Sequence, residues 1–258
     1  MKIHFYKYQA TGNDFVLVDN RSVGHRFTGA QIARLCDRRF GVGSDGLILL
    51  ENDPELDFKI VYYNGDGTQS LCGNGCRSAI DLASQLGLIK NGQTRFAAYD
   101  GPHEATLLTE ELIKLRMNDV KGIREVAGGY FLNTGSPHFV KFVTNLDEYP
   151  VVEEGRKLRY AQEFQPSGTN ANFVELLDDN TVYVRTYERG VEDETLSCGT
   201  GVTAVSLAAS LKGYASPVQV KVKGGELSVE FKSGQSGTFH DISLIGPAKL
   251  VFEGDLEL

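Results

Sequence analysis

Leu71-Cys72-Gly73-Asn74-Gly75, continued by Arg77-Ser78-Ala79, and Ser197-Cys198-Gly199-Thr200-Gly201, continued by Thr203-Ala204-Val205, are near-copies of one phrase. Each copy stands between a strand-like run and a helix-like run. Before the first come Phe58-Lys59-Ile60-Val61-Tyr62-Tyr63 and the turn Asn64-Gly65-Asp66-Gly67; after it, Arg77 to Leu86 reads as a helix stopped by Gly87. Before the second come Thr181 to Tyr187 and Glu188-Arg189-Gly190; after it, Val202 to Leu211 reads as a helix stopped by Gly213. The order strand, turn, thiol, helix therefore occurs twice. Both helical runs are rich in Ala, Ser and Leu and poor in charge, which predicts buried helices with sheet wrapped around them.

Working outward, Ile3 to Asp19 mixes aromatic and β-branched residues about Thr11-Gly12-Asn13-Asp14 and predicts two strands joined by a turn. A helix is expected from Thr28, with Ile32, Leu35 and Cys36 at helical spacing and Arg38 and Arg39 in its last turn before Gly41. Short strands are expected at 95–99, 104–108, 111–117, 130–133, 139–143, 171–177, 218–222, 226–231 and 250–253, with many of the 29 glycines between them. This pattern is α+β, without the regular alternation of a doubly wound parallel sheet. The repeat predicts two pseudo-symmetric domains, residues 1–118 and 119–248, facing one another across a cleft with the crossing near Asp119 to Gly129.

The composition narrows the function classes. A chain of 258 residues with 41% hydrophobic content can bury a substantial core. Met1-Lys2-Ile3-His4-Phe5-Tyr6 does not resemble a signal peptide, and no apolar run approaches the ~20 residues that span a bilayer, so no membrane association is expected. Four cysteines in a chain of this length do not read as a disulfide framework, which points to a reducing, cytoplasmic setting. A net charge of −8 lacks the basic stripe of nucleic-acid binding.

The duplicated phrase carries the chemistry. A thiol at a helix N-terminus faces unsatisfied N–H groups that stabilise its anion and can bring its pKa into the range ~3.5–7.5. Gly73 and Gly199, directly after each sulfur, leave backbone N–H groups uncovered for a carboxylate. Two such thiols, Cys72 and Cys198, can act as one base and one acid on opposite faces of the α-carbon of an amino acid, which inverts that centre. Racemisation or epimerisation is the expected reaction, with coupled thiol protonation. Cys36 and Cys76 read as small buried side chains. The Cys72–Cys76 spacing suits two zinc ligands, but no second pair completes a site, so no metal is expected. Asn13, Asn64 and Asn170 fall in turns that tolerate asparagine, Glu188 and Arg189 fit a solvated pair at a strand end, and His138 fits a satisfied strand histidine.

The chain resembles the diaminopimelate epimerase family. The resemblance covers nearly its whole length: Thr11-Gly12-Asn13-Asp14-Phe15, Gly41-Val42-Gly43-Ser44-Asp45-Gly46, Asn64-Gly65-Asp66-Gly67, Cys72-Gly73-Asn74-Gly75, Pro137-His138, Asn170-Ala171-Asn172-Phe173, Glu188-Arg189-Gly190, Glu194-Thr195 and Cys198-Gly199-Thr200-Gly201. It implies two similar domains, each a mixed β-barrel-like sheet around a central helix, with the C-terminal strand at 249–258 returning to the first. It also implies cofactor-independent interconversion of LL- and meso-diaminopimelate in the synthesis of lysine and peptidoglycan precursors, by an enzyme that a homodimer would suit. By resemblance Cys72 and Cys198 are the acid/base thiols. Gly73, Asn74, Gly199 and Thr200 bind the reacting carboxylate, and Asn13, Asn64, Asn170, Glu188 and Arg189 hold the distal aminocarboxylate, with Arg189 on its carboxylate and Glu188 near its ammonium group.

Departures from the family pattern fall on the substrate side. Gly46 stands where many members have glutamine, and Ser136 where many have asparagine before Pro-His. The approach to Cys198 is about one residue longer than common and the Asn64-to-Cys72 stretch about one shorter. A proline racemase-like isomerase would carry Cys-Gly-His at the first thiol and Asp-Arg-Ser-Pro before the second, unlike Asn74 and Glu194-Thr195-Leu196-Ser197 here. Phenazine-pathway isomerases share the architecture but lack the cysteine pair. A thiol redox protein would be expected to carry Cys-x-x-Cys, which this chain lacks, and a non-catalytic amino-acid-binding protein would have had no reason to keep both thiols.

Overall fold

The computed structural model describes residues 1–258, the side chain of Ser236 excepted. The chain divides into two compact units: Met1–Leu115 together with Gly246–Leu258, and Arg116–Ile245. Strands dominate both, with few helices, so the class is α+β.

In the first unit the strands are β1 (Lys2–Ala10), β2 (Asn13–Asp19), β3 (Gly46–Glu51), β4 (Phe58–Asn64), β5 (Gln93–Ala98), β6 (Gly101–Leu107) and β7 (Leu112–Arg116). β1 pairs antiparallel with β2, β2 parallel with β3, β3 antiparallel with β4, β4 parallel with β5, and β5, β6 and β7 antiparallel in turn. The C-terminal strand Lys249–Glu257 adds antiparallel to the free side of β1, from Lys2↔Glu257 to Gln9↔Lys249. Two helices complete the unit, α1 (Gly29–Cys36) and α2 (Gly73–Gln85).

In the second unit the strands are β8 (Arg124–Val126), β9 (Gly129–Asn133), β10 (Pro137–Phe142), β11 (Asn170–Leu176), β12 (Thr181–Glu188), β13 (Asp193–Thr195), β14 (Val218–Val222), β15 (Gly225–Ser233) and β16 (Phe239–Pro247). From β9 the ladder runs antiparallel to β10, parallel to β11, antiparallel to β12, parallel to β14, then antiparallel to β15 and β16. That is the succession found from β1 to β7. The sequence repeat is thus a repeat of strand pairing, with the thiol and its helix inserted after the fourth strand of each set.

The helices α2 and α4 (Gly199–Ser210) are the cores of their units. α2 packs on β1, β2, β3, β4 and the C-terminal strand, and α4 on β9, β10, β11, β12, β14 and β15. Every residue from Gly73 to Ala83 is buried, as are Val202 to Ala209. α4 meets that environment with Val, Ala, Leu and small hydroxyl residues whose Oγ atoms bond back to the preceding turn, Thr203 to Gly199 O and Ser206 to Val202 O. α2 instead carries Arg77 and Asp81 into its surroundings; Tyr8 and Gln85 donate to Asp81.

Two local differences from the sequence reading have clear causes. α1 starts at a capping box, with Thr28 and Gln31 reciprocally bonded, but it ends at Cys36 with Asp37 as its cap. Asp37 takes the N–H groups of Arg39 and Phe40, which turns the chain and sends Arg38 out to Asp14 and Asp45. The helix α3 (Val151–Arg159) has no counterpart among the expected elements: its sequence is mostly charged, and only Val151 and Gly155 are buried. Among the described residues no helix is long and apolar enough to cross a membrane.

Candidate active site

Cys72 and Cys198 are the N-cap residues of α2 and α4, with φ −130° and ψ 110° at Cys72 and φ −128° and ψ 109° at Cys198. The shared Cys-Gly-x-Gly phrase thus encodes one backbone geometry twice. The first N–H groups of a helix make no intrahelical bond and carry the positive end of its dipole, so each sulfur sits where an anion is favoured. None of the four cysteines is in a disulfide among the described residues. Burial pushes the Cys36 and Cys76 thiols up, well away from neutral reactivity. That leaves the two N-cap cysteines as the chemically available pair.

The first unit builds a polar cluster around Cys72. Asn13, at the start of β2, presents Oδ1 to Cys72 Sγ at 3.6 Å and receives Asn74 Nδ2 on the same oxygen at 3.2 Å. Its Nδ2 donates to Asp45 Oδ2, which fixes the amide orientation. Cys72 Sγ also accepts from Gly75 N at 3.5 Å. Asp45 and Asp14 are gathered by Arg38, and Lys7 Nζ lies 2.5 Å from Asp14 Oδ2. Burial opposes ionisation of Asp14, but hydrogen bonds and charge from Arg38 and Lys7 outweigh it and hold its pKa at about 2. Asn64 ends β4, opposite Gly46, and donates to Thr68 and Ser70.

The second unit builds a corresponding cluster around Cys198. Asn170 and Asn172 begin β11 and, two residues apart, share a face of it. Asn170 Oδ1 accepts the backbone N–H of Arg189, and its Nδ2 donates to Pro137 O and Ser136 Oγ. Glu188 closes β12 opposite Asp193, and Arg189 Nη1 donates to Ser167 O. A cavity of about 360 Å³ adjoins Arg189, lined also by Asn133, Gln165 and Phe131. Thr200, the second residue of α4, puts Oγ1 3.5 Å from Cys198 Sγ and 2.9 Å from His138 Nε2.

The structure therefore brings Asn13, Asn74 and Cys72 together directly, and likewise Asn170 with Arg189 and Thr200 with Cys198. Asn64 contacts its own turn. Three residues escaped the sequence reading as members of these clusters. Arg77 is wholly buried in α2 and donates to Asn74 Oδ1 at 3.0 Å. Asp45 orients Asn13. Asn172 bonds His138 Nδ1 at 3.1 Å and Phe139 O at 2.9 Å. The alternation Asn170-Ala171-Asn172 was the available signal for the last of these, since both asparagines must face one way if either is in the site. Gly201 marks the same spot: a Cβ there would lie 2.6 Å from Asn172 Oδ1 and 3.3 Å from His138 Cε1.

Among the described residues no group of three or more His, Cys, Asp or Glu side chains is arranged to hold a metal ion. The chemical resources are two cysteines at helix starts, the backbone N–H groups of those starts, amide side chains, and a Glu-Arg pair.

Comparison with known proteins identifies the family. The family model described as diaminopimelate epimerase matches residues 5–122 and 130–251. A diaminopimelate epimerase of Flavobacterium psychrophilum is 49% identical, with 96% of this chain and 98% of the relative covered, and one of Chlorobaculum tepidum is 42% identical at the same coverage. Among solved structures, a PhzF-family phenazine biosynthesis protein of Bacillus anthracis matches with a TM-score of 0.78 at 16% identity, over 100% of both chains. A hydroxyproline epimerase of Agrobacterium vitis matches at 0.71 and 14% identity, over 100% of this chain and 93% of the other; at such identities these two show the fold alone. With the family model matched along almost the full chain and relatives at these identities, the chain belongs to the diaminopimelate epimerase family and is an isomerase, an amino-acid epimerase.

Proposed function

We propose that the protein interconverts LL- and meso-2,6-diaminopimelate by a two-thiol mechanism without a cofactor, serving lysine and peptidoglycan-precursor synthesis. The observation that carries this reading is the pair of N-cap cysteines with matching backbone geometry, each followed by a glycine at the first position of its helix. The names of the relatives supply the substrate.

One sulfur, as thiolate, takes the α-proton and becomes a thiol; the electron pair left on the α-carbon delocalises into the adjoining carboxylate. The other sulfur, as thiol, returns a proton to the opposite face and is left as thiolate. Protons balance, and the two sulfurs have exchanged states. Backbone N–H groups of Gly73, Asn74, Gly199 and Thr200 hold the reacting carboxylate, where charge builds up in the transition state. Asn13, Asn64, Asn170 and Glu188 bind the distal amino-acid group, with Arg189 as a two-pronged donor to its carboxylate. A substrate without that second group leaves these polar side chains unpaired, and such mismatches discriminate strongly.

The test is incubation of the purified, reduced protein with LL-diaminopimelate and, separately, with L-proline, followed by chiral analysis. Formation of the meso isomer with proline untouched is expected. Racemised proline with unchanged diaminopimelate would overturn the substrate assignment.

A further inference from the structure

The longer approach to Cys198 folds into a tight hairpin. Glu188 of β12 pairs with Asp193 of β13, and the Glu192 N–H donates to Glu188 O at 2.8 Å. Closing the turn this way puts Glu192 at φ +60°, a left-handed conformation that costs a residue carrying a Cβ and so needs compensating contacts. Its carboxylate supplies them. Oε1 accepts Gly190 N at 3.0 Å and Arg159 Nε at 3.0 Å, and Oε2 accepts Tyr160 OH at 3.1 Å and Tyr187 OH at 3.3 Å. Burial opposes ionisation of this carboxyl, but the bonds from Gly190, Arg159 and Tyr160 outweigh it and hold its pKa below the ordinary value.

These donors tie the hairpin to α3, the helix that the sequence did not announce. Arg159 is its last residue and Tyr160 its C-cap. α3 packs on β11, β12 and β13, and Gly155 leaves no room for a Cβ against Tyr187, so the helix lies directly on the strand that leads to Arg189. Arg159 reaches a second segment as well: it abuts Gly168, where a Cβ would run into its guanidinium. Ser167, next to that glycine, accepts from Arg189 Nη1 at 2.9 Å.

Arg189 is therefore held at three points. Asn170 Oδ1 takes its backbone N–H, Glu192 takes the N–H of the following residue, and Ser167 O takes its guanidinium. The Arg159–Glu192 pair joins the two segments, 167–168 and 188–192, that supply two of those points. Both side chains of that pair are part-exposed, and ion pairs so placed add little to global stability. Their effect falls on the position of Arg189, which lines the same cavity as Ser167 and Gly168.

We propose that Glu192 and Arg159 are positioning residues that set the Arg189 guanidinium for the distal carboxylate of the substrate, with α3 as the platform on which substrate selection is built. This rests on the reading of Arg189 as the grip on the distal group and adds what keeps that grip in place.

The test is a double-mutant cycle of Glu192→Ala and Arg189→Met, read as KM and kcat for LL-diaminopimelate, or as Kd by calorimetry where turnover is too slow to follow. In the parent background Glu192→Ala should raise KM roughly tenfold with a smaller change in kcat, the scale of a lost hydrogen bond to a charged group. In the Arg189→Met background the same substitution should change KM by less than about twofold, because the group it positions is gone. Arg159→Met removes the other half of the pair and should repeat the pattern, whether or not Glu192→Ala folds. A merely structural role would raise KM by the same factor in both backgrounds, or lower kcat and the unfolding midpoint with KM unchanged. Either result would overturn the proposal, as would parent-like KM in folded Glu192→Ala or folded Arg159→Met. Failure of the underlying reading shows separately: Arg189→Met alone would then leave KM unchanged, which would sink that reading and the proposal together.

Discussion

Arg77 Nη2 donates to Asn74 Oδ1 at 3.0 Å from a position of complete burial. Among the described residues no carboxylate pairs with this guanidinium. Its other contacts are Pro247 O and Thr11 Oγ1, Nη1 has no hydrogen-bond partner among the described residues, and burial lowers its pKa to about 10. Its charge instead fixes the Asn74 amide with oxygen inward and nitrogen toward Asn13, and Asn13 in turn faces Cys72.

Arg77→Met keeps the length of the side chain and removes the donor, so Asn74 loses its fixed orientation while the core stays filled. The expected result is a folded protein whose kcat/KM falls roughly 100-fold, the scale of an ångström-sized misplacement of a reacting group. Steady-state kinetics alongside a circular-dichroism melt would check this, and near-normal kcat/KM in a folded variant would count against the orienting role.

Gly201→Ala places a methyl 2.6 Å from Asn172 Oδ1, in the middle of the polar chain behind Cys198. Overpacking of this kind costs about 1–3 kcal/mol, and here it presses on Asn172 and on His138, whose Nε2 lies 2.9 Å from Thr200 Oγ1. Both a lower unfolding midpoint and a loss of turnover are expected. An alanine variant with unchanged kinetics would show that this contact does not govern the site.

Arg189→Lys retains the charge but not the planar pair of donors. If Arg189 grips the distal carboxylate, KM for diaminopimelate should rise tenfold or more, on the order of the loss of one charge-assisted hydrogen bond, with a smaller change in kcat. A fall in kcat at constant KM would place Arg189 at the reacting end instead.

Stability should depend on pH through two groups in different windows. Burial holds His138 neutral, with a pKa of about 3 against 6.5 in an exposed chain. Between those values the unfolded chain binds a proton that the folded one does not, so stability rises with pH from about 3 to 6.5 and then levels. Asp14 works lower down. Its folded pKa of about 2 against 3.8 gives a contribution fully present above 3.8 and lost as pH falls through 2. Urea midpoints measured from pH 7 to 4 for the parent and His138→Gln should converge as pH falls, because only the parent loses the histidine contribution. Parallel curves would mean that His138 is not the group responsible.

Much of this site was readable from the duplicated phrase because helix starts are local. A small-residue run after a strand and turn leaves few options for the chain, and both helices begin one residue after the cysteine. The strand-pairing repeat was implied in the same way. What escaped depends on distant partners. Nothing near Arg77 in sequence reveals that its charge is enclosed, since Thr11 and Pro247 come from far along the chain. His138 is indistinguishable from any strand histidine until β10 and β11 are placed in parallel register, with His138 beside Asn170 and Val140 beside Asn172. α1 ends early because Asp37 recaptures two N–H groups, a local competition that apolar periodicity does not register.

The central claim is that two different groups handle the departing and the arriving proton. Its most direct test is the isotope distribution at early times when LL-diaminopimelate is converted in deuterated water by the reduced protein. With two thiols, the arriving hydrogen comes from a sulfur already equilibrated with solvent. The first meso product therefore carries deuterium at the inverted carbon while remaining LL substrate carries none. Meso product that retains the original hydrogen, or deuterium entering the LL pool as fast as the product forms, would show a single group working both faces and would contradict the account.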